Sequence, residues 1–147
     1  MYGITLFIHI IAATVWTGGH LVLSCSVLPR VLRTKDLNYL STFENGFEKI
    51  GIPSLILQVI SGLYLAYRLL PDFSLWFDFY DPVSRVISFK LILLAITLGL
   101  AMDARLRIIP KLSEDNLRSL VWHIVPVTIV SVLFVLVGVS FKTGWFY

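Results

Sequence analysis

Three histidines carry the most distinctive chemistry of this chain, because all of them lie in or beside stretches apolar enough to cross a bilayer. His9 and His20 belong to the first such stretch, and His123 belongs to the last. Imidazole is both ionisable and a ligand for transition metals and haem iron. Placing such a group at membrane depth costs free energy, so these positions predict a functional site.

The elements that must position these histidines are membrane-spanning helices. The 147 residues are 57% hydrophobic and 14% charged, with a mean hydropathy of +0.85, which is too apolar for a soluble domain of this size. About 20 consecutive apolar residues cross the hydrocarbon core as a helix. Four such runs occur, near 3–28, 50–69, 86–107 and 119–142. The sequence therefore predicts a single all-α domain over 1–147, an integral membrane four-helix bundle.

The basic residues predict how this bundle is oriented. Eight of the 12 Lys and Arg residues lie in 29–49 and 105–118, the connections at one end of the predicted bundle. By the positive-inside rule this end faces the cytoplasm, and both termini face the periplasm. The expected location is the bacterial inner (plasma) membrane, with the lipid bilayer as a partner. No motif for nucleic acid occurs, so topology accounts for the sequence pI of about 9.2.

The first helix places its functional residues on one stripe. His9, Trp16 and His20 share a face, because eleven residues are almost a whole number of helical turns. Small neighbours, Gly18 and Gly19, let another helix approach closely, so this stripe should face protein. The two imidazoles are roughly 16 Å apart along the axis, which is too far for one metal ion. They therefore define an outer and an inner level, or one of them is structural.

Two further residues extend the candidate set, Lys90 and Asp103. His123 lies near the predicted cytoplasmic start of the fourth helix, at about the inner level. Asp103 either holds His123 in one tautomer or pairs with Arg107 one turn further on. Lys90 is about as deep as His9; it either snorkels to the interface or, if buried, suits an anionic group such as a haem propionate.

The available ligands leave two cofactors open. A Cu(I) pathway usually uses sulfur ligands, whereas this chain has two Met residues and one cysteine, Cys25, which we expect to be a buried apolar thiol. Imidazole suits Cu(II), Zn(II) and iron, and histidines on facing helices hold haem b in bundles. The HExxH spacing of hydrolytic zinc sites is absent. Copper and haem b both remain, in one site or two.

Two connecting segments are expected at the membrane surface. Residues 30–49 carry apolar side chains at a spacing compatible with cytoplasmic extensions of the first two helices. Residues 71–82 mix aromatic rings with three carboxylates, as is typical of the headgroup interface. A lid over an outward-facing site is the alternative for this second segment.

Several quoted stretches carry a family resemblance. They are FIHIIAATVWTGGHL at 7–21 with LPR at 28–30, FEKIG at 47–51 with SGLY at 61–64, and WHIVP at 122–126 with GVSFK at 138–142. Together they resemble the copper resistance protein D (CopD) family. The resemblance implies an inner-membrane domain for copper uptake or tolerance, with His9, His20 and His123 as candidate ligands. Longer members have additional helices, which implies that this chain is a core unit or assembles as a homo-oligomer.

A second, weaker resemblance points to haem. The spacing from His9 to Trp16 and the position of Lys90 are similar to the membrane protoporphyrinogen oxidase family called HemJ, which is associated with haem b. The chain departs from that family at 18–20, and His123 stands where the family has an Asn-Glu pair. This resemblance implies a b-type haem protein, an oxidoreductase or electron carrier, that uses Trp16 and Lys90 beside the histidines. A bundle without a cofactor is the third hypothesis.

Overall fold

The computed structural model describes residues 1–111, 113 and 117–147 of the chain. Within this part it contains four long helices and no strand: α1 (Tyr2–Thr34), α2 (Leu37–Leu69), α3 (Pro82–Lys111) and α4 (Leu117–Thr143). Each helix is long and apolar enough to cross a membrane. The predicted all-α membrane bundle of four helices is confirmed.

The helices extend beyond their predicted bounds, and α2 differs most, since it begins at Leu37 rather than near residue 50. The chain reverses at Lys35, which has the left-handed conformation with φ 56°. Asp36 then caps α2 by accepting a hydrogen bond from the backbone N–H of Tyr39. This cap stabilises the first turns of α2 as a helix. These turns are polar, so hydropathy did not include them in the predicted span.

Helix α3 also begins at a defined cap. The carboxylate of Asp81 accepts a hydrogen bond of 2.7 Å from the backbone N–H of Ser84, and Pro82 occupies the first helical position. Proline is favoured there because its missing N–H would have no helical partner. The hydrogen bond to the Ser84 backbone lowers the pKa of Asp81, so this cap stays charged at neutral pH.

The connection before α3 folds back onto the bundle through Trp76. Its side chain is buried, and its indole N–H donates to the Leu70 carbonyl at 2.9 Å. The Ser88 hydroxyl donates to the Trp76 carbonyl at 2.6 Å. The remaining aromatic residues of the connection are largely exposed, as expected for rings at a membrane interface.

The helices pack in the order α2, α1, α4, α3. Helix α1 contacts both α2 and α4, and α3 contacts α4, whereas α2 and α3 contact each other little. The two outer helices of this order therefore leave a seam between them. Both termini lie at one end of the bundle with the 70–81 connection, here called the terminal end. The opposite end, where α1 ends at Thr34 and α4 begins at Leu117, is the basic end.

A hydrophobic core closes the basic end. Its buried members come from α1, from the start of α2 and from the first turns of α4: Leu23, Val27, Leu28, Val31, Leu40, Leu117, Leu120 and Ile124. The expectation that residues 30–49 pack on the membrane surface is wrong for Leu40, which has no exposed surface. The extensions of α1 and α2 run past the apolar spans and bury their apolar residues against α4.

Candidate functional site

The histidine stripe of α1 faces protein, as its period predicted. Trp16 and His20 are 7% and 8% exposed, and His9 is partly buried against α2. On either side of this stripe, α2 supplies Ser61 next to His9, and α4 supplies Thr128, whose hydroxyl donates to the His20 carbonyl at 3.2 Å. The functional stripe therefore lies at the junction of three helices.

His20 is held in a defined orientation at the inner level. Its Nδ1 lies 2.9 Å from the Trp16 carbonyl, which can only accept, so Nδ1 carries the proton. The ring packs 4.3 Å from the Trp16 ring and meets Phe47 edge-on at 5.5 Å, measured between centroids. In the described part of the chain Nε2 has no hydrogen-bond partner. Imidazoles that bind metals commonly have this arrangement, with one nitrogen fixed and the other carrying a lone pair.

Phe47 was not expected at this site, because residues 30–49 were assigned to the membrane surface. Its ring fills the space between two glycines: a Cβ at Gly19 would overlap the ring, and one at Gly51 would lie 2.9 Å from it. The predicted close approach of another helix is thus found at Gly19. Gly18 has nothing within 4 Å of its Cβ position. The sequence signal that could have identified Phe47 as part of this site is the combination of two glycines with one aromatic residue.

His9 has the same tautomer at the outer level. Its Nδ1 lies 2.9 Å from the hydroxyl oxygen of Ser61, and that hydroxyl donates its own hydrogen to the Leu57 carbonyl. Ser61 therefore accepts from Nδ1, which leaves the lone pair on Nε2. Gly62 makes room for the ring, since a Cβ there would lie 3.0 Å from Cε1 of His9. Both α1 histidines thus present an unprotonated Nε2.

His123 differs, because both of its ring nitrogens are engaged. Nδ1 lies 2.8 Å from the Ser119 carbonyl, and Nε2 lies 2.7 Å from the Asp103 carboxylate. The other carboxylate oxygen of Asp103 is 3.2 Å from Arg107. The two alternatives for Asp103 therefore occur together. With an acceptor at each nitrogen the ring suits the doubly protonated form, which has no lone pair for a metal.

Lys90 reaches across the bundle toward α4. Its Nζ lies 3.2 Å from the Cβ position of Gly138 and 5.6 Å from the centroid of the Phe141 ring. The side chain is partly buried. Within the described residues its ammonium group has neither a carboxylate nor a hydrogen-bond acceptor. The structure therefore matches the alternative in which Lys90 is buried in the bundle, and not the one in which it snorkels to the interface.

The candidate ligands do not converge on one point. Helix α1 is continuous from His9 to His20, so the levels stay roughly 16 Å apart. In the described ranges no group of three His, Cys, Asp or Glu residues is placed to hold a metal ion. Cys25 is exposed and not buried as expected, because it lies on the outer side of the π-helical turn Leu23–Val27.

Two buried polar atoms near this stripe lack partners. The indole N–H of Trp16 and the side-chain carbonyl of Gln58 have no hydrogen-bond partner in the described part of the chain. Trp16 lies between the two histidines along α1, and Gln58 lies one turn from Ser61 on α2. Buried polar groups are almost always paired, so the interior between the two levels has unused capacity for polar contacts.

Four apolar helices that direct imidazoles and a lysine into their interior define a multi-pass integral membrane protein. The family model described as Copper resistance protein D matches residues 41–141. The chain belongs to that family. No curated protein and no solved structure matches it. The matched range covers most of α2, all of α3 and nearly all of α4, whereas His9 and His20 lie before it.

Proposed function

We propose that this protein handles copper in the bacterial inner membrane, and that His9 and His20 bind the ion in succession as cargo. The observation that carries the proposal is the shared state of the two rings. Each has Nδ1 fixed by an oxygen acceptor and leaves Nε2 free. Membership of the copper resistance protein D family supports copper as the ion.

The ligand geometry favours passage of the ion over storage. Each level offers one imidazole from this chain, and a further ligand would come from a carrier, a second copy or solvent. A site on a conduction path must bind strongly enough to be entered and weakly enough to be left. Single imidazoles at two depths meet this requirement, whereas a closed set of three or four ligands would trap the ion.

Trp16 has a role in this proposal as the residue between the two levels. Its ring packs against His20, and the face of an indole attracts cations within about 6 Å of its centroid. An ion that moves along the stripe would pass this ring. Trp16 therefore lowers the barrier between the histidines and is not itself a ligand.

His123 is not a ligand in this proposal, because both of its nitrogens are occupied. A haem held between α1 and α4 needs a free nitrogen on His123, so the same contacts disfavour the bis-histidine alternative. His123 instead ties α4 to α3 through Asp103.

The test is copper binding by protein purified in neutral detergent. Chelator-washed protein is loaded with Cu(II) and titrated against a chromogenic Cu(II) chelator. We expect His20→Ala to weaken copper binding by at least about tenfold, as loss of a metal-site residue commonly does. His9→Ala should remove a second, separate binding event. His123→Ala is the matched control and should keep both.

Two results would contradict the proposal. The first is full copper binding by the double variant of His9 and His20. The second is an absorption spectrum of gently purified protein with a stoichiometric Soret band that shifts on reduction with dithionite, because that spectrum identifies haem as the ligand.

A further inference from the structure

Lys90 is a cation inside the bundle without a counter-charge. Its ammonium group has three hydrogen-bond donors, and the described residues offer it no carboxylate and no hydrogen-bond acceptor. The ammonium group lies 5.6 Å from the centroid of the Phe141 ring and 3.2 Å from the Cβ position of Gly138. A charged side chain at membrane depth normally pairs with an opposite charge or faces water. Lys90 therefore lacks the partner that its charge requires.

The position of Lys90 on α3 decides from where a partner for its charge can come. Gly138 has no side chain, and this leaves room for Nζ beside α4. Lys90 lies eight residues after Pro82, which is roughly 12 Å along the axis from the start of α3 at the terminal end. A group at this depth is within reach of the membrane interface.

The neighbouring charges determine what can bind. No acidic side chain in the described residues offsets the charge of Lys90. An oxyanion at Nζ would satisfy the three donors and neutralise the charge of Lys90. Lysine is a common ligand for phosphate in proteins, acting as a point charge.

We infer that Lys90 is the centre of an anion-binding site in the terminal half of the bundle, which takes a carboxylate or phosphate group. The group comes either from an anionic lipid headgroup or from a small anion in solution. This inference does not depend on copper, because the site is complete without a metal. Failure of the copper proposal would therefore leave it unaffected.

The first test uses chelator-treated, metal-free protein in neutral detergent. The midpoint of thermal unfolding is measured in inorganic phosphate and in chloride at equal ionic strength. A ligand that binds only the folded state raises this midpoint, and we expect a rise of about 3 °C or more for the unaltered chain. Lys90→Met should abolish the rise, and Lys90→Arg should keep it. Lys142→Met, which removes an exposed lysine of α4, is the control and should respond like the unaltered chain.

Lys90→Met also carries an independent expectation. Because it replaces an uncompensated charge by an apolar chain of similar length, it should unfold at a higher temperature than the unaltered protein in chloride. If the contacts of Lys90 in the folded protein were already satisfied, Lys90→Met would instead lower the unfolding temperature. Gly138→Val keeps the lysine but occupies the space beside Nζ, and it should weaken the phosphate response even if Lys90→Met does not fold.

The second test separates the two sources of the anion. The protein is placed in nanodiscs of phosphatidylcholine alone or with phosphatidylglycerol, and the unfolding midpoint is compared. A rise with phosphatidylglycerol that Lys90→Met abolishes identifies a lipid headgroup, whereas a response to phosphate alone identifies a soluble anion. The inference is overturned if neither phosphate nor phosphatidylglycerol changes the midpoint, or if Lys142→Met loses the response and Lys90→Met retains it.

Discussion

The partners of each ring nitrogen, and not the residue type, separate the three histidines. His9 and His20 each have an oxygen acceptor at Nδ1 only, whereas His123 has an oxygen acceptor at both ring nitrogens. The same side chain is thus suited to binding an ion in α1 and to binding a carboxylate in α4. The distinction depends on a single acceptor, Asp103, near the basic end of α3.

The contact between Asp103 and His123 should contribute measurably to stability. We expect Asp103→Asn to lower the free energy of unfolding by about 1–3 kcal/mol, because it removes a charge-assisted hydrogen bond between two helices. Arg107→Gln is the matched control. Arg107 is 80% exposed and contacts the other oxygen of the same carboxylate, so its loss should change the value by less than about 0.5 kcal/mol.

Unfolding in mixed micelles with increasing sodium dodecyl sulfate measures both variants. Equal effects of the two substitutions would show that Asp103 acts through Arg107 and not through His123.

At the scale of the helices, the close packing of α1 on α2 is set by Gly19, Phe47 and Gly51. The ring of Phe47 occupies the space that side chains at both glycines would need, and it also supports His20. Small residues allow such an approach in membranes, where packing and not hydrophobic transfer holds helices together. The orientation of His20 therefore depends on a contact between two helices.

A pair of adjacent glycines tests this packing. Gly19→Ala places a methyl group against the Phe47 ring, and we expect it to destabilise the fold by about 1–3 kcal/mol, as overpacking does. It should also weaken copper binding at His20, because the ring that supports the imidazole must move. Gly18→Ala, with open space at its Cβ position, should have little effect on either measurement. Indistinguishable behaviour of the two variants would contradict the packing described.

At the scale of the whole molecule, the four helices bring both termini to the terminal end and the hydrophobic core to the basic end. This arrangement places Lys90 and His9 in the terminal half, and His20, Asp103 and His123 nearer the basic end. The direction of the bundle in the membrane remains a prediction from the distribution of Lys and Arg. It decides which half meets the periplasm.

Reporter fusions test this orientation. Alkaline phosphatase, which is active only in the periplasm, should be active when fused after Tyr147. Green fluorescent protein inserted between Lys35 and Asp36 should fluoresce, because that connection is predicted to be cytoplasmic. An inactive phosphatase together with a dark insertion would reverse the assignment, and with it the expected direction from which an anion reaches Lys90.

The sequence by itself determined the number of helices and the face that α1 buries. Both follow from local properties: about 20 apolar residues are needed to cross the bilayer, and the helical period aligns His9, Trp16 and His20. It indicated that the first two helices extend beyond their apolar spans, but not that α2 begins at Leu37, because a capped polar turn carries no hydropathy signal. The burial of Leu40 was missed for the same reason.

The tertiary structure alone decided which nitrogens are free and which charge lacks a partner. Ser61 reaches His9 from α2, Asp103 reaches His123 from α3, and Lys90 meets Gly138 on α4. Each of these contacts joins residues that are far apart in the chain. Helical periodicity fixes the direction of a side chain on its own helix but not which group a neighbouring helix presents to it.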